Sequence, residues 1–224
     1  MLDPSSAVGL GRQSRHDIRY DRERPERVWY VGGLVIDTRV RPRIQGFIGP
    51  IGKSLVAIGV TPAAMTAFGL FVTILGAVVI GLGHLVLGAV IALAGSALDG
   101  LDGTVARASG SVTARGAFLD AGSDRIGEIA CFAGLAVAME GNARVLLLIV
   151  LSVGGAMLVP YLRAKAEAVG LEGKGGIMGR AERVILFAVG LILGFVEPML
   201  WLMVVSVWYT AIQRFVSTYS RIRQ

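Results

Sequence analysis

The chain has 224 residues, of which 54% are hydrophobic and only 17% are charged, and its mean hydropathy is +0.67. Soluble domains carry about 25% charged residues, so this composition excludes an ordinary soluble protein and indicates an integral membrane protein. The net charge of +6 fits attraction to anionic lipid head groups. It does not indicate nucleic-acid binding, because the sequence contains no motif for it.

The first 60 residues divide into two parts that precede the apolar region. Residues 1–37 are polar and rich in arginine, and we treat them as a separate basic segment. Residues 38–60 predict an amphipathic helix that lies in the membrane interface, because their apolar residues recur at steps of three and four. These apolar residues are Val40, Ile44, Phe47, Ile48, Ile51 and Leu55.

Length and hydropathy then predict six transmembrane helices in a single catalytic domain, residues 61–220. The predicted spans are 62–82, 85–108, 117–139, 143–168, 180–195 and 198–219. Several connections are only a few residues long, so neighbouring helices must run antiparallel. The predicted fold is therefore an all-α integral membrane bundle around a polar cavity that opens to the cytoplasm.

Lysine and arginine predict the orientation of the bundle. If the N-terminus is cytoplasmic, the turns near Arg107 and Arg115 and the segment 163–183 are cytoplasmic too, and Arg144 alone lies outside. An even number of spans returns the C-terminus to the same side. We therefore expect a multi-pass protein of the cell membrane with both termini and the active site facing the cytoplasm.

Four aspartates lie within this apolar region: Asp99, Asp102, Asp120 and Asp124. Each carboxylate costs about 2.5–3.5 kcal/mol at the bilayer centre, so the set costs on the order of 10 kcal/mol without compensation. Asp99 and Asp102 are three residues apart and Asp120 and Asp124 are four apart, so each pair shares a helix face. Two such faces turned toward each other form an all-oxygen site that suits two Mg²⁺ or Mn²⁺ ions.

The surroundings of the aspartates favour phosphate chemistry. Gly103 and Ala106 lie on or beside the Asp99/Asp102 face and leave room for a ligand near the backbone. Arg107 lies close to the helix end, where it could reach a phosphate. Two divalent cations can bridge a pyrophosphate and neutralise its charge. Arg125 and Glu128, next to Asp124, are expected to be its partners rather than catalytic groups.

The string D-x2-D-G-x2-A-R-x8-G-x3-D-x3-D begins at Asp99 and ends at Asp124. It resembles the signature of the CDP-alcohol phosphotransferases at all eight fixed positions, and the resemblance extends over about residues 38–220. The matching residues are Asp99, Asp102, Gly103, Ala106, Arg107, Gly116, Asp120 and Asp124.

The resemblance implies a reaction, a set of roles and a homodimer. An alcohol attacks the lipid-side phosphorus of CDP-diacylglycerol and CMP leaves. Asp99, Asp102, Asp120 and Asp124 are implied metal ligands, and Asp124 is also the implied general base. The implied nucleotide-binding residues are Asp102, Gly103, Ala106, Arg107, Gly116 and Thr66.

A second basic cluster suggests the acceptor. Arg163, Lys165, Arg180 and Arg183 come from two helices on the same side as the aspartates, and converging cations suit a phosphate-bearing acceptor. The arrangement resembles the bacterial and archaeal phosphatidylinositol phosphate synthases, which use inositol 1-phosphate. Glycerol 3-phosphate, an archaeal lipid donor and a purely topological role for these cations remain open. An ion-coupled transporter, the alternative from another class, would not release CMP from a CDP-lipid.

Overall fold

The computed structural model describes residues 54, 56–57, 59–173 and 175–222. The basic segment 1–37 and nearly all of the interfacial helix predicted for 38–60 lie outside these residues. The described part of the chain contains seven complete helices and no strand, as the all-α prediction requires. The helices are α1 (Pro62–Gly81), α2 (Leu85–Asp99), α3 (Asp102–Ala108), α4 (Ala114–Ala138), α5 (Ala143–Ala168), α6 (Arg180–Ile192) and α7 (Val196–Tyr219).

Three of the helices begin at side-chain caps that the sequence supplies. Thr61 accepts a hydrogen bond from the amide of Ala64 before α1, and Thr113 accepts one from the amide of Gly116 before α4. Asn142 does the same for Val145 before α5. Each cap satisfies an amide that has no partner within its own helix, so these residues fix where the helices start.

Short turns make α1 and α2 an antiparallel hairpin whose backbones approach closely. A Cβ atom on Gly76 of α1 would lie 2.5 Å from the backbone nitrogen of Ala92 on α2. Only glycine allows this approach, which is the usual way for helices to pack in a membrane. The hairpin turn therefore places the end of α2 beside the beginning of α1.

The apolar core lies toward the end of the helices that is opposite the aspartates. It includes Ile80 near the end of α1, Leu135 near the end of α4, Leu148 in α5 and Leu200 in α7, all almost fully buried. The aspartates lie at the end of α2 and in the first half of α4. One end of the bundle is thus packed with apolar side chains and the other is left for polar chemistry.

Four helical stretches within the described residues are long and apolar enough to cross a bilayer. They are Pro62–Gly81, Leu85–Ala108, Ala143–Ala168 and Val196–Tyr219. Many of their large apolar side chains point outward, including Phe71, Val150 and Trp201, each more than half exposed. An apolar surface of this extent is unfavourable in water and favourable in contact with lipid tails. The chain is therefore a membrane protein.

The second predicted span is interrupted where the sequence suggested one continuous helix over 85–108. Gly100 and Leu101 form a turn between α2 and α3. Both keep right-handed backbone angles, so the chain bends rather than reverses. The turn falls between Asp99 and Asp102, so Asp99 ends α2 and Asp102 begins α3.

Candidate metal and active site

Three of the four aspartates come together. Asp99, Asp120 and Asp124 each offer a carboxylate oxygen, and these oxygens lie within 4.8 Å of one another. Asp99 ends α2 and is only 2% exposed, while Asp120 and Asp124 lie one turn apart on α4 and are half-buried. The i, i+4 spacing on α4 therefore presents both carboxylates to the end of α2.

Asp102, the fourth aspartate, makes different contacts. Its Oδ2 accepts a 2.6 Å hydrogen bond from the hydroxyl of Thr66, and its Oδ1 accepts one from the amide of Gly103. Asp102 begins α3, directly after the turn at 100–101. The structure therefore gathers Asp99, Asp120 and Asp124, and pairs Asp102 with Thr66.

A glycine on the neighbouring helix sets the position of Asp99. A Cβ atom on Gly69 of α1 would lie 2.7 Å from the backbone nitrogen of Asp99 and 2.8 Å from its Cα. Real Cβ contacts are not this short, so any side chain at residue 69 would push the end of α2 away. The close α1–α2 packing thus extends to the carboxylate cluster itself.

Arg180 lies at the start of α6 and reaches the cluster. Its Nη2 is 3.0 Å from Oδ2 of Asp99 and 2.7 Å from Oδ1 of Asp124, and it also contacts the hydroxyl of Ser96 at 3.4 Å. A guanidinium between two carboxylates offsets part of their mutual repulsion. The sequence had assigned Arg180 to the acceptor phosphate, and the structure places it directly at the aspartates.

Arg183, one turn further along α6, forms a separate buried pair. Its Nη2 donates a 2.9 Å hydrogen bond to Oε2 of Glu128, and its Nε donates to Oε1 of the same carboxylate. The side chains are 2% and 7% exposed. Arg125 links this pair to the aspartates, because it lies 3.4 Å from Glu128 and 3.5 Å from Asp124.

A pocket opens beside these groups, between α1, α2, α4 and α6. It is partly open to the surroundings. One part is polar, with Asp99, Asp124 and Arg180, and the rest is lined by apolar side chains such as Leu93 and Phe187. Such a pocket suits a ligand that combines a charged group with an apolar portion.

The residues predicted to bind nucleotide lie on α3, at the start of α4 and on α1, and none of them lines this pocket. Arg107 contacts the hydroxyl of Thr104 at 3.1 Å. The amide of Gly116 is used by the Thr113 cap, and Ala106 is half-buried. The structure therefore brings Thr66 to Asp102 and leaves the other nucleotide-binding assignments as predictions.

The two remaining cations of the predicted acceptor site lie near the end of α5. Arg163 pairs with Glu167 at 2.8 Å, and the ammonium group of Lys165 lies 5.7 Å from the centre of the Tyr161 ring. Neither residue lines the pocket that Arg180 and Arg183 line. The four-residue acceptor site therefore stays a prediction.

Ser96 is a pocket residue that the sequence analysis did not single out. It lies three residues before Asp99 on α2, and its hydroxyl contacts Arg180. Because residues three apart share a helix face, the spacing from Asp99 is the signal by which it could have been found.

The carboxylate cluster fits a divalent cation. Oδ1 of Asp99 and Oδ1 of Asp124 are buried without a hydrogen-bond partner, since the contact of Asp124 with Arg180 lacks hydrogen-bond geometry. Buried carboxylate oxygens without a partner are strongly unfavourable unless something binds them. An all-oxygen set of this kind prefers Mg²⁺ or Mn²⁺ to softer metals.

Comparison with known proteins defines the class. The family model described as CDP-alcohol phosphatidyltransferase matches residues 59–213. The chain therefore belongs to the CDP-alcohol phosphatidyltransferase family and is an enzyme of the transferase class. This finding confirms the resemblance inferred from the eight fixed positions.

Two individual relatives are similar to the chain over most of its length. The chain is 32% identical to the archaetidylinositol phosphate synthase of Pyrococcus horikoshii, over 79% of this chain and 93% of the relative. It is 34% identical to the phosphatidylinositol phosphate synthase of Mycolicibacterium smegmatis, over 77% of this chain and 81% of the relative.

Solved structures of the phosphatidylinositol phosphate synthase of Mycobacterium tuberculosis have the same fold. The structure with CDP-DAG bound gives a TM-score of 0.73 at 30% identity, covering 80% of this chain and 98% of that one. The complex with manganese and citrate gives 0.72 at 31% identity, covering 79% and 93%.

Proposed function

We propose that this enzyme transfers a phosphatidyl group from CDP-diacylglycerol to inositol 1-phosphate and releases CMP. The observation that carries the proposal is the group of three aspartates, two of which keep a buried oxygen without a hydrogen-bond partner, at one end of a pocket that also holds Arg180. The relatives support the choice of acceptor, because two of them are named as inositol phosphate lipid synthases.

The cation that the cluster would hold is Mn²⁺ or Mg²⁺, and manganese was found with a related synthase. We assign Asp99, Asp120 and Asp124 as ligands of a first ion. Asp102 is the proposed additional ligand of a second ion, since its carboxylate has lone pairs beyond those that Thr66 and Gly103 use. The ions would offset the negative charge of the diphosphate.

The chain's own residues divide the remaining tasks. Asp124 accepts the proton of the acceptor hydroxyl, whose oxygen forms the new bond to the lipid-side phosphorus. The bond from that phosphorus to the bridging oxygen breaks, and CMP leaves with that oxygen and its electron pair. Gly103, Ala106, Arg107 and Gly116 are the proposed surroundings of the CMP moiety, and Arg180 is the proposed ligand of the acceptor phosphate.

Orientation, span number and assembly belong to the same proposal. α4 carries charges near Asp124, and α6, with 13 residues at 1.5 Å each, is only about 20 Å long. We propose that both nevertheless cross the membrane, giving six spans, a cytoplasm-open cavity and cytoplasmic termini. Labelling of single cysteines from either side of sealed vesicles tests this topology, and light scattering tests the expected homodimer.

One assay tests the reaction. Purified enzyme is given CDP-diacylglycerol with Mn²⁺ or Mg²⁺ and a panel of acceptors: inositol 1-phosphate, glycerol 3-phosphate and free inositol. We expect CMP release that requires the cation, stops with EDTA and is fastest with inositol 1-phosphate. Faster CMP release with glycerol 3-phosphate would make glycerol 3-phosphate the acceptor in place of inositol 1-phosphate. No CMP release with any acceptor would refute the proposed function.

A further inference from the structure

The pocket beside the aspartates changes from charged to apolar along the helices that form it. On α2 its lining runs from Asp99 through Ser96 to Ala89. Asp99 and Ala89 are ten residues apart, a distance of about 15 Å along an α-helix. Ser123 lines the pocket from α4, next to Asp124. A ligand that extends from the charged end toward the apolar end therefore passes two serine hydroxyls.

The hydroxyl of Ser123 has no hydrogen-bond partner among the residues that the structure describes, although the residue is only 6% exposed. A buried hydroxyl without a partner is unfavourable in a folded protein. Because Ser123 lines the pocket, a ligand that enters the pocket can supply the missing acceptor.

Ser96 has an unused proton as well. Its oxygen accepts the 3.4 Å contact from Nη2 of Arg180, and its proton has no acceptor in the described part of the chain. Thr73 carries the third hydroxyl of the pocket, and it donates to the carbonyl oxygen of Gly69 at 2.9 Å. The pocket therefore offers the protons of Ser96 and Ser123 to a ligand, whereas that of Thr73 is already used.

The matching acceptor must lie between a charged group and hydrocarbon. In the donor of the proposed function, the ester carbonyl oxygens lie there, with the diphosphate on one side of the glycerol and the acyl chains on the other. A dialkyl ether lipid has the same charge and the same chains but no carbonyl oxygen. The linkage between the glycerol and its chains is thus the feature that two hydroxyl donors can recognise.

We propose that the hydroxyls of Ser96 and Ser123 donate hydrogen bonds to the ester carbonyl oxygens of the lipid donor and thereby select an ester-linked CDP-lipid over an ether-linked one. The proposal rests on the proposed function, which supplies the CDP-lipid. It goes beyond that function by assigning the two serines to the recognition of the donor's linkage.

Equilibrium binding of two matched lipids tests this selection. CDP-diacylglycerol and its dialkyl ether analogue, with equal chain length and the same glycerol configuration, are added to the full-length enzyme with Mn²⁺ and without acceptor. One neutral hydrogen bond typically contributes about fivefold in affinity, so two independent bonds should favour the ester lipid by about 25-fold. Ser96→Ala and Ser123→Ala should each reduce this ratio to about fivefold, and the combined variant should bind both lipids equally.

The ratio of the two affinities decides between this role and an indirect one. Ser96 also contacts Arg180, so a change that acts only through Arg180 would weaken both lipids alike and leave the ratio at its wild-type value. A wild-type ratio in the combined variant, or no preference in the wild-type enzyme, would overturn the proposal. A change of the ratio in one single variant alone would remove the other serine from the proposal.

Ser152→Ala is the matched control. Ser152 on α5 is fully buried, and its hydroxyl also has no partner among the described residues, but it does not line this pocket. We expect this variant to keep the wild-type ratio. A reduction as large as that of Ser96→Ala would show that loss of any buried serine alters the ratio, and it would overturn the proposal.

CMP release with inositol 1-phosphate, measured on the same proteins, separates this proposal from the proposed function. If wild-type enzyme releases no CMP with any acceptor but binds the ester lipid more tightly, the function fails and the selection stands. If it releases CMP and binds the two lipids equally, the selection fails and the function stands. Binding of neither lipid would overturn both.

Discussion

Two groups of buried charges lie side by side in this protein, and they are satisfied to opposite degrees. Asp99 and Asp124 keep carboxylate oxygens without hydrogen-bond partners, whereas Glu128 and Arg183 form a forked pair. Arg180 pairs with both aspartates but leaves one oxygen of each without a hydrogen bond, so the first group can still bind a ligand. The second group needs no ligand. Adjacent carboxylates can thus serve chemistry in one case and structure in the other.

The largest expected effect comes from the first group. Asp120→Asn should reduce CMP release by at least about a thousandfold, because a metal ligand is lost. Mn²⁺ binding, measured by electron paramagnetic resonance, should be abolished as well. In cation-free protein the same change should leave stability equal or higher, since it removes repulsion between carboxylates.

The matched control for that stability measurement is Glu128→Gln, which leaves Arg183 buried and unpaired. Removing one partner of a buried pair costs about 3–5 kcal/mol, so this variant should unfold at clearly lower temperature or denaturant concentration. Equal destabilisation by both changes would mean that the two groups do not differ as described.

Asp124→Asn tests whether Asp124 has a role that the other aspartates of the cluster do not have. Loss of a general base lowers turnover by about 10²–10⁴-fold, and we expect a loss in that range with CDP-diacylglycerol binding largely retained. Turnover is measured as CMP release at saturating acceptor and donor binding by isothermal titration calorimetry. Near-normal turnover would remove Asp124 as the base.

A smaller effect is expected from Gly69→Ala, which leaves every charged residue in place. The new Cβ atom would displace the backbone of Asp99, so we expect a loss of activity of about 10–100-fold with weaker Mn²⁺ binding. Gly154→Ala on α5 is the control, because its Cβ atom meets nothing within 4 Å. Equal effects of the two variants would exclude a specific role for the contact between Gly69 and Asp99.

The smallest effect is expected at the opposite end of the bundle. Arg144 and Glu197 form an ion pair at 3.5 Å, and their side chains are 74% and 37% exposed. Exposed pairs contribute less than about 1 kcal/mol, so Arg144→Gln should leave activity unchanged and shift unfolding only slightly. A large loss of activity would show that this end also takes part in function.

Much of the site could be predicted because its signals are local. The eight fixed positions identified the family, and four-residue spacing brought Asp120 and Asp124 to one face of α4. The turn at Gly100 and Leu101 lies between Asp99 and Asp102, so the shared face expected from their three-residue spacing stays a prediction. Spacing along a helix holds only while the helix continues, and no strong breaker such as proline marks this interruption.

Sequence alone determined that this protein is a helical membrane enzyme with a cluster of acidic residues, because hydropathy, helix periodicity and a spaced motif are properties of neighbouring residues. Tertiary structure decided which charges meet. Arg180 reaches Asp99 across 81 positions and Arg183 reaches Glu128 across 55, and nothing local distinguishes these two arginines. Their different partners arise from the packing of α6 against the other helices, which brings long side chains within reach only after the bundle has formed.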